Sequence, residues 1–305
     1  MLGGVKRKLR RGINIPNDLV VEMRYAVAIR SVKKQLKQRN NRGDAAIVLH
    51  LYYQDMWPYF SKKISLLMKK NLDLVISLPT KDNISHEILK EYPQAIILRV
   101  PNKGRDVLAF LKIGKFLNEL NYGYILKLHS KRSPQRKDGQ DWADKMITDL
   151  IPKTDKRWLE IKETLMDPKS ALIGPEGNYV PLTTYYNDNQ PKVIWMLSEM
   201  IGHKSANYIN KYNKQFGFFA GTMLWLRLDA IAPLFSMGIW ANNFPPESAQ
   251  LDGTVAHAIE RVLCVLPEYN KMKIYEMGTS AIKNIPYKTD FIPEWSDYYH
   301  VKQSN

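Results

Sequence analysis

The chain has 305 residues and a formal net charge of +15, from 45 Lys and Arg against 30 Asp and Glu. Its hydrophobic share of 45% and aromatic share of 11% exclude a disordered chain and are enough for a substantial core. The single cysteine, Cys264, excludes an internal disulfide and favours a reducing, cytoplasmic setting. No stretch reaches the roughly 20 apolar residues that span a bilayer, and no long apolar run follows the basic first residues as in a signal peptide.

The excess of basic residues predicts a polyanionic partner, which could be nucleic acid, nucleotide phosphates or an anionic membrane surface. Basic residues cluster at 6–11, 30–42 and 127–137. The first two clusters indicate a surface patch. The third follows a predicted strand, so it is more informative about a site.

Residues 1–43 form a basic N-terminal extension, with a helix predicted over 17–39. Its apolar stripe is expected to contain Val20, Met23, Val27, Val32 and Leu36. The basic second half of this helix has two interpretations. It either complements the helix dipole and aids solubility, or it attaches the protein to anionic lipid head groups.

Residues 44–128 alternate between strand-like apolar runs and segments of helical period. Strands are predicted over 45–53, 72–78, 95–100 and 122–128, and helices over 57–70, 83–92 and 106–120. Short connections between alternating strands and helices are typical of a parallel sheet with right-handed crossovers. We therefore predict an α/β fold with a mostly parallel sheet flanked by helices, and a ligand beyond the carboxyl ends of the strands.

The second half of the chain is less regular. Helices are predicted over 141–151, 156–166, 191–202 and 254–266, and strands over 171–177, 216–228 and 271–277. Segment 216–228 is either a strand pair or one long strand, and 271–277 is expected to be an edge strand. We treat 44–280 as one domain and 281–305 as a C-terminal tail.

Two of the predicted strands lead into polar residues that suit a ligand site. The end of the first carries His50, Tyr52 and Tyr53, and the third ends in the sequence VPNKGRD, which supplies Asn102, Gly104, Arg105 and Asp106. A helix that begins after a glycine-containing turn is a ready site for an anion or a nucleotide. The alternative for Asp106 is that it merely caps the helix.

The fourth strand runs through YILKLHSKRS and ends in His129, Ser130, Lys131 and Arg132. Many transferases neutralise a diphosphate leaving group with a divalent metal on an Asp-any-Asp pair. Cations and hydrogen-bond donors can do the same electrostatic work directly. The alternative is a solvated basic turn. Scattered histidines, a lone cysteine and the lack of HExxH give no metal signature.

The C-terminal half adds a glycine turn and a helix start. Gly221 and Thr222 interrupt an apolar strand, which suggests close approach of the backbone to a ligand, whereas Trp225 is either a core residue or a supporting site residue. Asp252 is either a general base at a helix start or a helix cap. Further candidates near it are Glu247, His257, Glu260 and Arg261.

Together, six ordered motifs over about residues 44–266 resemble the rhamnan synthesis protein F family, bacterial proteins of rhamnose polysaccharide synthesis. They are VLHLYYQDMW, VPNKGRDVLAFL, YILKLHSKRS, ALIGPEG, FFAGTMLWLR and LDGTVAHAIER. The wider pattern resembles the GT-A glycosyltransferase fold. His129, Ser130 and Lys131 stand where that fold has its Asp-any-Asp motif, so the resemblance implies no more than weak dependence on Mg²⁺ or Mn²⁺.

The resemblance implies an inverting glycosyltransferase with a nucleoside-diphosphate sugar donor, dTDP-rhamnose, and a lipid-linked saccharide acceptor. Such an enzyme is expected in the cytoplasm or on the inner face of the cell membrane, with an anionic membrane surface as partner. Asp252 would be the base, the residues at 102–106 would hold the nucleotide end, and those at 129–132 would face the diphosphate. The alternatives are a non-catalytic member of a polysaccharide assembly complex and, on charge alone, a nucleic-acid binder, which the pocket pattern disfavours.

Overall fold

The structure, a computed structural model, describes residues 17–39, 42–132, 138–246 and 252–285. Within these ranges the helices are α1 (Asn17–Lys37), α2 (Trp57–Ile64), α3 (Ser85–Glu91), α4 (Arg105–Glu119), α5 (Gly139–Leu150), α6 (Asp155–Met166), α7 (Gln190–Ile201), α8 (His203–Lys211), α9 (Ala232–Ser236) and α10 (Val255–Tyr269). The strands are β1 (Ala45–His50), β2 (Leu72–Pro79), β3 (Ile96–Val100), β4 (Tyr124–His129), β5 (Ser170–Pro175), β6 (Tyr179–Pro181), β7 (Gly217–Phe219), β8 (Leu224–Arg227), β9 (Lys273–Met277) and β10 (Ile282–Asn284).

Eight of these strands form one central sheet in the order β10-β9-β5-β8-β4-β1-β2-β3. Strand β1 pairs in parallel with both β2 and β4, β2 with β3, and β5 with β9. Only β8 and β10 run against their neighbours in this sheet. The prediction of an α/β fold with a mostly parallel sheet flanked by helices is therefore confirmed.

Helices cover both faces of the sheet, which explains why its strands read as unbroken apolar runs. Along β1, Ala46 and Val48 pack into one core cluster, whereas Ile47 and Leu49 pack into the other. Because β1, β2, β3 and β4 run parallel to one another, their carboxyl ends lie along one edge of the sheet, which we call the carboxyl edge.

Segment 216–228 is a strand pair whose two strands join different sheets. Strand β7 pairs with β6 in a separate two-stranded sheet, whereas β8 lies between β4 and β5. The turn between them needs the left-handed region at Gly221 (φ 97°) and Thr222 (φ 50°). Such a turn lets the chain leave one sheet and enter the other within a few residues.

The prediction that 271–277 is an edge strand is wrong. Strand β9 lies between β5 and β10, and β10 supplies the outer pairing from residues assigned to the C-terminal tail. Strand β10 has only three residues and reads IKN, so it carries too little apolar pattern to predict a strand.

Helix α1 is confirmed, but its predicted apolar stripe is partly wrong. The side chains that pack into the core are Val21, Tyr25, Val32 and Leu36. Val27 is 47% exposed, because it lies on the side of the helix that faces away from the sheet. Across the described residues, each helix is too short or too polar to cross a bilayer.

Candidate active site at the carboxyl edge

Five parts of the chain meet at the carboxyl edge: the end of β1, the end of β4, the start of α4, the β7–β8 turn and the start of α10. His50 and His129 lie opposite each other in the register of β1 and β4. Lys127 of β4 contacts both Asp106 of α4 and Thr222 of the turn. These contacts bring together segments that are widely separated in sequence.

At the centre of this cluster is an ion pair between Asp106 and Lys127. The Lys127 Nζ donates to Asp106 Oδ2 at 2.5 Å and to the Thr222 carbonyl at 2.8 Å. The Thr222 hydroxyl donates to the same carboxylate oxygen at 3.2 Å. The side chains of Lys127 and Asp106 are 2% and 14% exposed, so the pair is nearly desolvated. Both charges are compensated inside the protein.

Burial by itself would raise the pKa of the Asp106 carboxyl, but the nearby imidazole of His129 and ammonium of Lys127 together hold that pKa well below its ordinary value. Burial also lowers the pKa of His129 to about 3 and that of His50 to about 4. Both imidazoles are thus neutral at pH 7, where Lys127 is the cation beside Asp106, and His129 adds its positive charge only at low pH. His50 Nδ1 contacts the Ser77 hydroxyl at 2.8 Å, and His129 Nδ1 lies 3.5 Å from Asp106.

The start of α4 has an unusual backbone that aims Arg105 at α10. Both Gly104 (φ 69°) and Arg105 (φ 53°) are left-handed, and a Cβ on Gly104 would come within 2.7 Å of the Leu108 Cβ. The Asp106 side chain does not cap the helix, since it turns inward to Lys127. Arg105 Nη1 lies 3.1 Å from Nε2 of His257.

His257 links Arg105 to the start of α10. Burial lowers the pKa of His257 to about 4, so its imidazole is neutral at pH 7. Nε2 lies 3.1 Å from Arg105 Nη1, and Nδ1 lies 2.9 Å from the Thr254 hydroxyl and 3.3 Å from the Thr254 amide nitrogen. Thr254 is also the residue that caps α10. The Arg105 guanidinium is thus held by a neutral, oriented imidazole.

Asp252 lies just before this helix and does not cap it. Its Oδ1 accepts a bond from Asn189 Nδ2 at 2.6 Å and one from the Gly253 amide at 3.0 Å. Oδ2 lies 3.6 Å from Nη2 of Arg261. The Asp252 side chain retains 20% exposure.

Glu260 and Arg261 fix the other side of the β7–β8 turn. The Gly221 amide donates to Glu260 Oε1 at 2.7 Å. Arg261 is 2% exposed and donates to the carbonyls of His257 and Thr184. A Cβ on Gly221 would come within 2.8 Å of the Met146 Sδ, so packing against α5 also requires this glycine. The bond to Glu260 and the packing against Met146 therefore hold the β7–β8 turn in place.

Lys131 and Arg132 diverge, although they are adjacent in sequence. The Lys131 ammonium lies 4.5 Å from the centroid of the Trp142 ring, and its pKa is lowered by burial while the carboxylates of Glu260 and Asp106 oppose that shift. Arg132 turns outward, pairs with Asp55 and lies 4.7 Å from the Tyr53 ring centroid. Only Lys131 points into the cluster.

The two tyrosines after β1 lie on the rim of the site. Tyr52 is 40% exposed, and Asn102 Nδ2 lies 3.4 Å from its hydroxyl. The rings of Tyr52 and Tyr53 meet edge to face at 5.1 Å. The Tyr53 amide donates to the Ser130 hydroxyl at 2.9 Å, which ties the ends of β1 and β4 together. This hydrogen bond therefore connects the aromatic rim to the end of β4.

Two supporting candidates fall elsewhere. Trp225 is fully buried, donates from Nε1 to the Leu150 carbonyl at 2.8 Å and packs on Trp158, so it is a core residue and cannot line a site. Its strand alternates faces, and Trp225 falls on a core face. Glu247 lies outside the described residues.

Sequence analysis missed Lys127 and Asn189 as members of the site. A signal was present for Lys127, since it is the lone charge within the apolar strand YILKLH and a buried lysine requires a partner. Asn189 follows the polar sequence YYND, which carries no comparable signal.

The residues at the end of β4 do not fit a divalent cation. The GT-A resemblance puts a metal beside residues 129–131, but the groups there are Lys131, Lys127 and two neutral histidines. The nearby carboxylate of Asp106 is already neutralised by Lys127. Within the described ranges, His, Cys, Asp and Glu form no group of three that could hold a metal ion.

The fold and this cluster define a mixed α/β protein with a cation-rich site at the carboxyl edge of its parallel strands. The chain belongs to the rhamnan synthesis protein F family, whose profile matches residues 11–272. Its members are connected by that description with the synthesis of rhamnan, a polysaccharide. The resemblance found in the sequence motifs is thereby confirmed at the level of the family.

Curated relatives include the uncharacterised protein WxcX from two strains of Xanthomonas campestris pv. campestris, ATCC 33913 and B100. Each is 31% identical to this chain over 222 residues, which cover 71% of the chain and 30% of the relative. The match thus spans about three tenths of the length of these relatives. No solved structure matches the chain.

Proposed function

We propose that this chain is an inverting glycosyltransferase of rhamnan-type polysaccharide synthesis. The donor would be a nucleoside-diphosphate sugar, dTDP-rhamnose, and the acceptor a lipid-linked saccharide. One observation carries the proposal: the inward-facing Lys131, the Arg105 guanidinium and the partly exposed Asp252 carboxylate gather at one edge of a parallel sheet. Ligands of such sheets bind at this edge.

The cations suit the leaving group. When the bond between the anomeric carbon and the diphosphate oxygen breaks, negative charge develops on that oxygen. Lys131 and Arg105 would stabilise this charge, because a cation in a partly desolvated site acts strongly and needs little reorganisation. Lys127 does not take part directly, since Asp106 and Thr222 occupy its ammonium.

Asp252 suits the role of general base. Its carboxylate would take the proton of the acceptor hydroxyl while the hydroxyl oxygen forms a bond to the anomeric carbon. The bond from the same carbon to the diphosphate breaks on the opposite face, so the configuration inverts. The hydrogen bonds from Asn189 and the Gly253 amide hold the carboxylate in place for this step.

The rim suits the nucleotide. The edge-to-face pair of Tyr52 and Tyr53 offers a platform for the base, and Asn102 lies beside Tyr52. In this arrangement the base lies at the end of β1 and the diphosphate at the end of β4. His50 and His129, as neutral imidazoles, would line the site between the base and the diphosphate.

A donor screen tests the proposal. The purified chain is incubated with a lipid-linked saccharide and, in turn, with dTDP-rhamnose and the common uridine and guanosine diphosphate sugars. We expect one donor to release its nucleoside diphosphate while the acceptor gains one sugar. If donors bind but none is consumed, the chain is a non-catalytic partner in polysaccharide assembly.

A further inference from the structure

The outward face of α1 has two chemically different halves. Residues three or four apart in a helix share a face, so Leu19, Met23 and Val27 lie together opposite the buried side. Leu19 is 43% exposed and Val27 is 47% exposed. The same face continues into Arg30 and Lys34, both exposed. An apolar patch is therefore followed by a basic one.

The positive charge of this face is not neutralised within the protein. Arg30, Lys34 and Lys37 are exposed, and none of the three pairs with a carboxylate in the part of the chain that the structure describes. The helix has two acidic residues, and both form ion pairs with lysines outside the helix. Asp18 pairs with Lys103 at 3.1 Å, and Glu22 pairs with Lys112 at 2.8 Å.

Contacts at its two ends place α1 along the β3 side of the sheet. Asp18, near its start, contacts Lys103 in the loop at the carboxyl edge. Arg39, just past its end, pairs with Asp73 near the start of β2. The apolar half of the outward face therefore lies toward the carboxyl edge, and the basic half lies toward the opposite edge.

We propose that the outward face of α1 docks on an anionic phospholipid bilayer. A bilayer surface matches both halves, because its acyl boundary accepts the apolar side chains and its head-group phosphates attract the cations. The inference is independent of the transfer reaction. If the proposed function also holds, this docking brings the site close to a lipid-linked acceptor.

Vesicle binding of the full chain tests the proposal. Phosphatidylcholine vesicles with and without phosphatidylglycerol are titrated with the wild-type chain and with the triple variant Arg30→Glu, Lys34→Glu, Lys37→Glu. A matched control carries Lys156→Glu, Lys162→Glu and Lys169→Glu, the same charge change at exposed lysines on and just after α6. A second variant, Met23→Ser with Val27→Ser, probes the apolar half.

We expect the wild-type chain to bind only the anionic vesicles, and the α1 triple variant to bind them about a hundredfold more weakly. The α6 control should lose far less, and the serine variant should also bind more weakly at an unchanged melting temperature. The proposal is overturned if the wild-type chain ignores anionic vesicles or if both triple variants lose affinity equally. It is also overturned if the chain dimerises through this face, because the occupant is then a second copy.

Discussion

Lys127 in the middle of β4 donates to Asp106 at the start of α4, across 21 residues of sequence, at 2.5 Å. The pair connects the central sheet to the helix that carries Arg105, and through the Thr222 carbonyl it also anchors the β7–β8 turn. A nearly buried lysine in an apolar strand is costly unless a partner compensates its charge. The pair therefore connects the parts of the site, and it leaves Lys131 and Arg105 as the cations for which we propose contact with the diphosphate.

Removing only one member of the pair should be strongly destabilising. Lys127→Met leaves the Asp106 carboxylate buried without its main counter-ion, so we expect a loss of about 3–5 kcal/mol in the free energy of unfolding. Urea denaturation measures it. The double variant Asp106→Asn, Lys127→Met should recover much of the loss, because no isolated charge remains.

Lys283→Met is the matched control for that experiment. Lys283 pairs with Glu176 but is 54% exposed, so its loss should cost at most about 1 kcal/mol. Equal effects of Lys127→Met and Lys283→Met would contradict the role given to the buried pair.

Lys131 and Arg132 should differ in their effect on donor affinity. Because only Lys131 points into the cluster, Lys131→Met should weaken binding of dTDP-rhamnose by about tenfold or more, whereas Arg132→Met should change it little. Calorimetric titration measures both affinities. Equal losses would contradict the distinction between the two residues, and a larger loss in Arg132→Met would show that the outer rim holds the diphosphate.

Chelation should leave the transfer reaction largely intact. The end of β4 offers a lysine and neutral histidines where a metal-dependent relative would offer carboxylates, so we expect similar rates with and without EDTA. The comparison uses the donor identified by the screen. A rate that EDTA abolishes and Mg²⁺ or Mn²⁺ restores would contradict the assignment of Lys131.

Stability should fall as the pH drops below about 6.5. The pKa values of His50, His129 and His257 are lowered to about 4, 3 and 4, whereas in the unfolded chain each is about 6.5. The unfolded state therefore binds more protons in this window, and each histidine removes about 1.4 kcal/mol of stability per pH unit. Glu268, whose pKa burial raises to about 8, offsets one of the three.

Urea unfolding at pH 7 and at pH 5 measures this dependence. His50→Asn should reduce the slope by about one proton. A free energy of unfolding that stays constant between the two pH values would show that the three imidazoles are not neutral in the folded protein.

The sequence predicted most of the sheet because its strands are buried on both faces. Unbroken apolar runs such as AAIVLH, and the helical period between them, are strong signals. Short elements such as β6, β10 and α9 were missed, since three to five residues carry too little pattern. The stripe of α1 was misjudged because both sides of that helix carry apolar residues, and only contact with the sheet decides which side is buried.

The site was predictable in its segments but not in its pairings. Strand ends and glycine turns marked residues 102–106, 129–132 and 221–222, and the structure brings these segments together. Which side chains face a ligand depends on long-range partners. Asp106 was expected at the nucleotide, yet it is paired with Lys127, and Arg132 turns away to Asp55. Such pairings follow from packing and not from local sequence.

The most direct test of the glycosyltransferase assignment is to measure both the transfer rate and the donor affinity of the Asp252→Asn variant. With dTDP-rhamnose and a lipid-linked saccharide, we expect the variant to lose about a hundredfold or more of the rate while it binds the donor as the wild-type chain does. Asp229→Asn, which removes a 61% exposed carboxylate on another surface, is the matched control and should keep full activity. Full turnover by Asp252→Asn, or no sugar transfer by the wild-type chain from any nucleotide donor, would contradict the account.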